Sequence, residues 1–276
     1  MMNLLHRIPL PLIFFVAMLL SVAAAQSSGD TELNLGVQAY KQAKYEEASW
    51  HFERAAAQEP GNVHAHLYLA TVCAQQYIPG ADTPDNNRFA ERAIEQYKKV
   101  INLDSSREST NMAVKGIAYL DLQMKRFDEA KADYQRAAEL DPNDPEVYYS
   151  MAVIDWTLTY PPRMEERSRL KLTPDASLPA KDKQFCAEIR EKNWANIADG
   201  IDNLNKALQL RPDYDDAMGY LNLMYRERAD VQCDDPAAHY QDLKTADEWV
   251  DKTLATKKLK AEKVEDQPNA PPKQQQ

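Results

Sequence analysis

The hydrophobic and polar positions of the chain follow a helical pattern that recurs with a period of about 34 residues. Ala48, Phe52 and Ala55 occupy one face of a helix at i, i+4 and i+7, and Pro60 ends the segment. The same order of residues returns further on, as Phe127, Ala130, Tyr134, Ala137 and Pro142. No run of alternating β-branched residues predicts a strand. The pattern therefore predicts an all-α chain of paired amphipathic helices.

The repeat resembles the tetratricopeptide repeat (TPR), because Leu35-Gly36 in a first helix and Tyr45 at the following turn complete its motif. This resemblance implies a right-handed TPR-like α-solenoid of about five helix-turn-helix units, each with a helix A and a helix B. Units two, four and five carry turn-rich insertions between their helices. The insertions are predicted at Tyr77–Asn86, Tyr160–Asp182 and Ala229–Pro236. Residues 188–209 are expected to form a long helix B of unit four.

Both ends of the chain differ from the repeat domain, which is expected over residues 29–257. Arg7, the apolar run Ile8–Leu20 and an Ala-x-Ala ending at Ala25 predict a signal peptide over residues 1–25. Such a chain is exported to the periplasm or outside the cell. The alternative is an uncleaved N-terminal membrane anchor, because the apolar run approaches the length of a membrane span. Residues 258–276, first basic and then rich in proline and glutamine, are predicted to be a disordered tail.

The composition supports helix and limits the class of partner. Only 7 of 276 residues are glycine, and 44% are hydrophobic, so the chain can form helices with a substantial core. The formal net charge is −10, which repels phosphate backbones and argues against nucleic acid as a partner.

The resemblance to tetratricopeptide repeats also implies a groove lined by the A helices, which binds a partner protein or peptide segment. Transferred to this sequence, the groove positions are Tyr40, Lys41, His64, Lys115, Tyr119, Gln123, Tyr149, Trp156 and Arg226. Aromatic side chains among them can anchor a peptide, or they can pack against the neighbouring helix. The Lys/Asn/Arg cluster that clamps a carboxylate in the chaperone-binding branch of the family is missing.

Two of the three cysteines are predicted to form a disulfide bond, which an exported protein can keep. Cys73 falls inside a helix A and is expected to be buried. Cys186, at the start of a long helix B, and Cys233, in the last insertion, lie at the same end of adjacent units. The predicted Cys186–Cys233 bond would join the two insertions.

No motif for nucleophilic catalysis, phosphate binding or zinc binding occurs in the chain. His64 and His66 are two residues apart and do not share a helix face, so neither a metal nor another cofactor is expected, despite His51 nearby. We therefore expect a non-catalytic protein-interaction scaffold of the bacterial cell envelope, which binds through the groove or the insertion-bearing end. The alternative is an enzyme or small-ligand-binding protein with its site on the 160–182 insertion.

Overall fold

The computed structural model describes residues 28–103, 106–173 and 176–265, and every regular element in these ranges is an α-helix. None of these helices has the length and apolar character needed to cross a membrane. The predicted signal segment, residues 1–25, lies outside the described residues. The helices are α1 (Ser28–Lys41), α2 (Tyr45–Gln58), α3 (Val63–Gln76), α4 (Pro84–Asn102), α5 (Arg107–Gln123), α6 (Phe127–Leu140), α7 (Pro145–Arg169), α8 (Leu178–Lys181), α9 (Lys183–Leu210), α10 (Asp215–Asp230) and α11 (Pro236–Glu265).

Successive helices pair in the order that the repeat predicts. The chain divides into two compact units, residues 1–133 and 134–276, with the boundary inside α6. In the first unit α1 packs on α2 and α3 on α4, and the second pair also contacts α2 and α5. In the second unit α7 packs on α9, and α10 packs on α11 as well as on α7 and α9. In units one, two, four and five, the predicted A and B helices therefore pack against each other as pairs.

Small residues allow the paired helices to approach closely, as the sequence predicted for Gly36 and Ala48. A Cβ atom built on Gly36 would lie 2.5 Å from the Phe52 ring, and Ala48 is completely buried. A similar close approach occurs between successive pairs, where a Cβ on Gly116 of α5 would lie 2.4 Å from the Tyr97 ring of α4. The aromatic side chain of helix B thus occupies the space that a helix-A side chain would otherwise fill.

Replacing Gly116 by alanine is expected to destabilise the first unit by about 1–3 kcal/mol, because the new methyl group overlaps the buried Tyr97 ring. Gly219 provides a matched control within α10, since its added Cβ would meet no atom within 4 Å. Gly219→Ala should stabilise the protein by about 0.5–1 kcal/mol through helix propensity alone. Urea unfolding followed by circular dichroism measures both changes. A change of the same sign in both variants would contradict this packing argument.

The predicted insertion of unit four is wrong in its first half, because helix α7 continues to Arg169 through Pro161 and Pro162. Each proline removes a backbone donor, but both lie on the exposed side of the helix. Side chains of the next turns hold the extension, since Arg163 and Arg167 form buried ion pairs with α10. The connection to α9 is therefore the segment 170–182, and α9 starts at Lys183 rather than 188.

The other two insertions are short loops that end in helix caps. The Thr83 side chain accepts a hydrogen bond from the backbone N–H of Asn86, and Pro84 occupies the first turn of α4. The loop therefore covers residues 77–83 rather than the whole predicted insertion. The Asp235 carboxylate accepts from the N–H of Ala238 and caps α11 in the same way.

Helix α11 continues beyond residue 257, the predicted limit of the repeat domain, and ends at Glu265. The ammonium groups of Lys257 and Lys260 pair with Asp215 at the start of α10. These contacts hold the beginning of the predicted tail in a helix. The remainder, residues 266–276, lies outside the described residues.

Candidate partner-binding surfaces

The predicted groove residues of the first unit lie on three A helices and present partly accessible side chains. Tyr40 and Tyr119 are half-buried against the core, and partial burial raises the pKa of both phenols above its ordinary value. Lys41 and His64 are exposed, whereas Lys115 and Gln123 are half-buried. We call these six residues, Tyr40, Lys41, His64, Lys115, Tyr119 and Gln123, the helix-A surface.

A buried tyrosine from a B helix supports part of the helix-A surface. Desolvation raises the pKa of Tyr97 to about 12, and its phenol also hydrogen-bonds Thr71 and lies near Tyr40. Thr71 in turn donates its hydroxyl to the carbonyl of Leu67, one turn earlier in α3, at 2.8 Å. The ring of Tyr40 also contacts that of Tyr45, with centroids 5.6 Å apart. The aromatic part of the surface is therefore held in place by its neighbours.

In the second unit, Tyr149 and Trp156 are buried in an aromatic cluster, which is the packing alternative left open by the sequence. The ring centroid of Tyr149 lies 5.0 Å from that of Tyr214 and 5.4 Å from that of Tyr220. Trp156 lies 4.6 Å from Tyr160 and 5.5 Å from Tyr220. Tyr149 and Trp156 are only 8% and 7% exposed. Both residues therefore pack α7 against α10, and a direct contact with a partner remains a prediction for them.

Arg226, the last predicted groove residue, forms hydrogen bonds with neighbouring side chains. Its guanidinium donates to Asn222 at 2.9 Å and to Asp247 of α11 at 2.6 Å. The Arg226 side chain is 30% exposed and that of Asp247 is 70% exposed, so solvent reaches this pair. Arg226 thus links α10 to α11 at the surface, and its role in binding also stays a prediction.

Two arginines of the 160–182 segment belong to a buried ion cluster with two acidic residues of α10. Arg163 contacts Glu227 and Asp230, each at 2.9 Å, and Arg167 contacts Asp230 at 2.8 Å. All four residues are less than a tenth exposed. Arg163 and Arg167 are spaced i, i+4, and Glu227 and Asp230 are spaced i, i+3. This spacing is typical of a helix face and could have predicted that both pairs lie on helices. The cluster fastens α7 to α10 and leaves these charges unavailable for the alternative enzymatic or small-ligand site.

Glu227 should make the stability of the protein depend on pH. Desolvation raises the pKa of this carboxyl from 4.5 to about 7 in the folded protein, although Arg163 opposes the shift. The folded chain therefore holds a proton that the unfolded chain releases, and its stability falls between pH 4.5 and 7 as pH rises. Raising the pH from 5 to 8 should therefore lower the free energy of unfolding of the unmodified protein. In Glu227→Gln this decrease should be smaller, by an amount on the order of 3 kcal/mol.

Urea unfolding of both proteins at these two pH values measures the difference, since all other titrating groups are common to them. An identical pH dependence in the Glu227→Gln variant would show that Glu227 is ionised in the folded state throughout this range.

The predicted disulfide is present and joins Cys186, in the first turn of α9, to Cys233, in the loop after α10. Their Cα atoms are 5.6 Å apart. Cys186 is completely buried, whereas Cys233 is half-buried. Cys73 is a free, buried thiol, as its place in a helix A predicted, and desolvation raises its pKa.

The histidines considered for metal binding contact other groups instead. The ring of His51 lies 2.7 Å from a Glu32 carboxylate oxygen, and that of His66 hydrogen-bonds Gln96 and the carbonyl of Pro60. Across the described ranges, no group of three or more His, Cys, Asp and Glu side chains is arranged to hold a metal ion.

Comparisons with known proteins agree with this repeat and this fold. A family model of the TPR repeat matches residues 118–157, which include helix B of unit three and the start of unit four. A crystal structure of a MamA protein matches with a TM-score of 0.55 at 15% identity, over 88% of this chain and 98% of that one. MamA from Desulfovibrio magneticus RS-1 matches with a TM-score of 0.56 at 16% identity, over 86% and 98%. No curated protein sequence matches the chain.

These low identities establish the fold and nothing finer. The fold is the all-α TPR solenoid expected from the sequence, which is a class of protein-interaction scaffolds. The chain therefore contains a segment that matches the TPR repeat, within a fold similar to that of known TPR structures.

Proposed function

We propose that this protein is a non-catalytic scaffold that binds a segment of another protein through the helix-A surface of its first unit. The observation that carries the proposal is the pair of half-buried tyrosines, Tyr40 and Tyr119, held against the core beside polar side chains. A tyrosine fixed in this way gives a large contact area at little entropic cost and keeps a hydroxyl for hydrogen bonding. Lys41 and His64, on α1 and α3, add exposed polar groups on the A helices.

The chemistry of the surface suits an extended or helical segment rather than a small molecule. Its aromatic and polar side chains come from three different helices, so a ligand must be several residues long to contact them all. The binding energy should concentrate in the aromatic anchors, as it does in other protein interfaces. Tyr119 is therefore the position at which a substitution should weaken binding most.

Photo-crosslinking in the native cell tests this surface. A photoreactive phenylalanine analogue in place of Tyr119 should crosslink to a partner protein. The same analogue in place of Trp50, an exposed residue of helix B in the same unit, serves as the control. In a native pull-down without the crosslinker, Tyr119→Ala should then reduce recovery of the partner identified in this way by about tenfold or more, the effect expected of a hot-spot residue. Equal crosslinking from position 50, or recovery that does not depend on Tyr119, would count against the helix-A surface.

We further propose that the protein works in the bacterial cell envelope after export. The apolar run at Ile8–Leu20 with its Ala-x-Ala end supports export, and a disulfide between Cys186 and Cys233 suits an oxidising compartment. N-terminal sequencing of the protein from a periplasmic fraction should start at Gln26. Recovery of the uncleaved chain in the membrane fraction would favour the anchored alternative instead.

A further inference from the structure

A shallow cleft of about 480 Å³ lies on the second unit, between α9 and the loop 231–235. We call it the disulfide cleft, because Cys233 forms part of its wall. The residues that line it are Ala187, Arg190, Glu191, Trp194, Cys233 and Asp234. The four residues from α9 lie on one helical face, at i, i+3, i+4 and i+7. The cleft therefore combines one continuous helix face with a loop that the disulfide bond holds beside it.

Trp194 gives the disulfide cleft an apolar anchor point. Its side chain is among the large hydrophobic groups left exposed, with 39% of the residue accessible. The guanidinium carbon of Arg190 lies 4.9 Å from the ring centroid, so one part of the indole is covered by a cation. The accessible remainder of the indole adjoins the cleft. A partner side chain placed there would remove a large aromatic surface from water, which is typical of interface anchors.

The charges around this anchor favour a basic partner. Glu191 and Asp234 line the cleft, and both are exposed. Asp234 has only a loose surface contact with Lys183, at 3.8 Å with both side chains mostly accessible, so its charge remains available to a ligand. Arg190 is the one cation in the lining, and it lies over the Trp194 ring. An incoming lysine or arginine would therefore meet two carboxylates.

We propose that the disulfide cleft is a docking site for an extended segment of another protein, which presents an aromatic or other apolar side chain next to a lysine or arginine. The apolar side chain packs on Trp194, and the basic group pairs with Glu191 and Asp234. This site is independent of the helix-A surface, because all of its lining residues belong to the second unit.

The disulfide bond is a structural requirement of this site. Cys186 is buried in the first turn of α9, and its bond to Cys233 fixes the loop that carries Asp234. Without the bond, the loop loses its covalent link to α9, and one wall of the cleft can move away. Binding should therefore weaken in Cys233→Ser even though Trp194 and Glu191 remain in place.

The chain provides a matched control in Trp50, a second exposed tryptophan on a helix B. The Arg54 guanidinium carbon lies 4.6 Å from the Trp50 ring centroid, four residues away on α2. Trp50 is 51% exposed, and the pair belongs to the first unit. Its chemistry is that of Trp194 and Arg190, but it is not part of the disulfide cleft. A ligand that recognises any exposed tryptophan stacked by arginine would respond equally to both pairs.

Calorimetric titration of the full oxidised chain tests the proposal with two synthetic peptides. The probe is acetyl-Lys-Phe-Pro-Lys-amide, and its acidic counterpart has glutamate in place of both lysines. The basic peptide should bind, and the acidic one should not. Trp194→Ala should weaken binding of the basic peptide by about 30-fold, as expected of a hot-spot aromatic residue. Trp50→Ala should leave the affinity unchanged.

Charge reversal provides a second test that does not depend on the disulfide. Glu191→Lys and Asp234→Lys change exposed residues and should leave the circular dichroism spectrum and melting temperature nearly unchanged. The double variant should no longer bind the basic peptide and should prefer the acidic one.

The disulfide provides a third test. Cys233→Ser should weaken binding of the basic peptide by about tenfold or more if its circular dichroism spectrum stays helical.

Several results would overturn the proposal. They are the absence of binding by the basic peptide at about 1 mM, an equal loss of affinity in Trp50→Ala and Trp194→Ala, and an unchanged peptide preference after charge reversal. Sedimentation of the oxidised chain gives a further outcome. A dimer that Trp194→Ala dissociates would show that the cleft binds a second copy of the chain rather than another protein.

Discussion

Cys233→Ser is expected to lower the free energy of unfolding by about 4 kcal/mol. The disulfide joins residues 47 positions apart, so breaking it restores the conformational freedom of a long loop to the unfolded state. Cys233 is the better position to change, because it is half-buried, whereas a serine at Cys186 would place a hydroxyl in a completely buried environment. Urea unfolding under oxidising conditions measures the loss.

Reductant provides the control for this prediction. It should lower the unfolding midpoint of the original chain to that of Cys233→Ser and leave the variant itself unaffected. Cys73 should contribute nothing to this response, because it is a free thiol. A midpoint that does not respond to reductant in the original chain would mean that the bond is not formed in solution.

Arg163→Met is expected to cost about 3–5 kcal/mol at neutral pH, because it leaves the buried Glu227 carboxyl without a close cation. Arg163 contacts both Glu227 and Asp230, and its side chain is only 10% exposed. Asp230 keeps Arg167, but Glu227 loses its close cation. The extension of α7 beyond Pro161 and Pro162 should then open before the rest of the helix. Hydrogen exchange of residues 163–169 can detect this opening, and urea unfolding gives the total loss.

Arg88→Met is the matched control, because it removes an arginine from a solvent-exposed pair. Arg88 contacts Asp85 at 2.6 Å, and both side chains are more than two-thirds accessible. Exposed pairs contribute less than about 1 kcal/mol, so the same substitution should have little effect there. Adding Glu227→Gln to Arg163→Met should restore part of the lost free energy of unfolding, because the double variant has no unpaired carboxyl at position 227. Equal costs at positions 163 and 88 would show that burial does not set the strength of the cluster.

The recurring helix pairs were predictable because they depend on local spacing. Gly36, Ala48 and Phe52 specify a close crossing of two helices, and the period of the pattern locates the next crossing. The disulfide partners could also be predicted, since the order of the helices places Cys186 and Cys233 at the same end of adjacent units. The sequence did not distinguish aromatic side chains that pack in the core from those that stay accessible on the A helices. Tyr119 is half-buried whereas Tyr149 is buried, although both were assigned to the groove.

The sequence alone determined the all-α class, the TPR-type pairing, the order of the helices and the cysteine pair, because these follow from residue spacing along one chain. Tertiary structure decided the length of α7 and the burial of its charges. Pro161 and Pro162 predict a loop by local preference, but the pairing of Arg163 with Glu227 and Asp230, more than 60 residues away, favours continued helix. Contacts of that kind depend on how distant helices are brought together, and neither residue spacing nor local propensity contains that information.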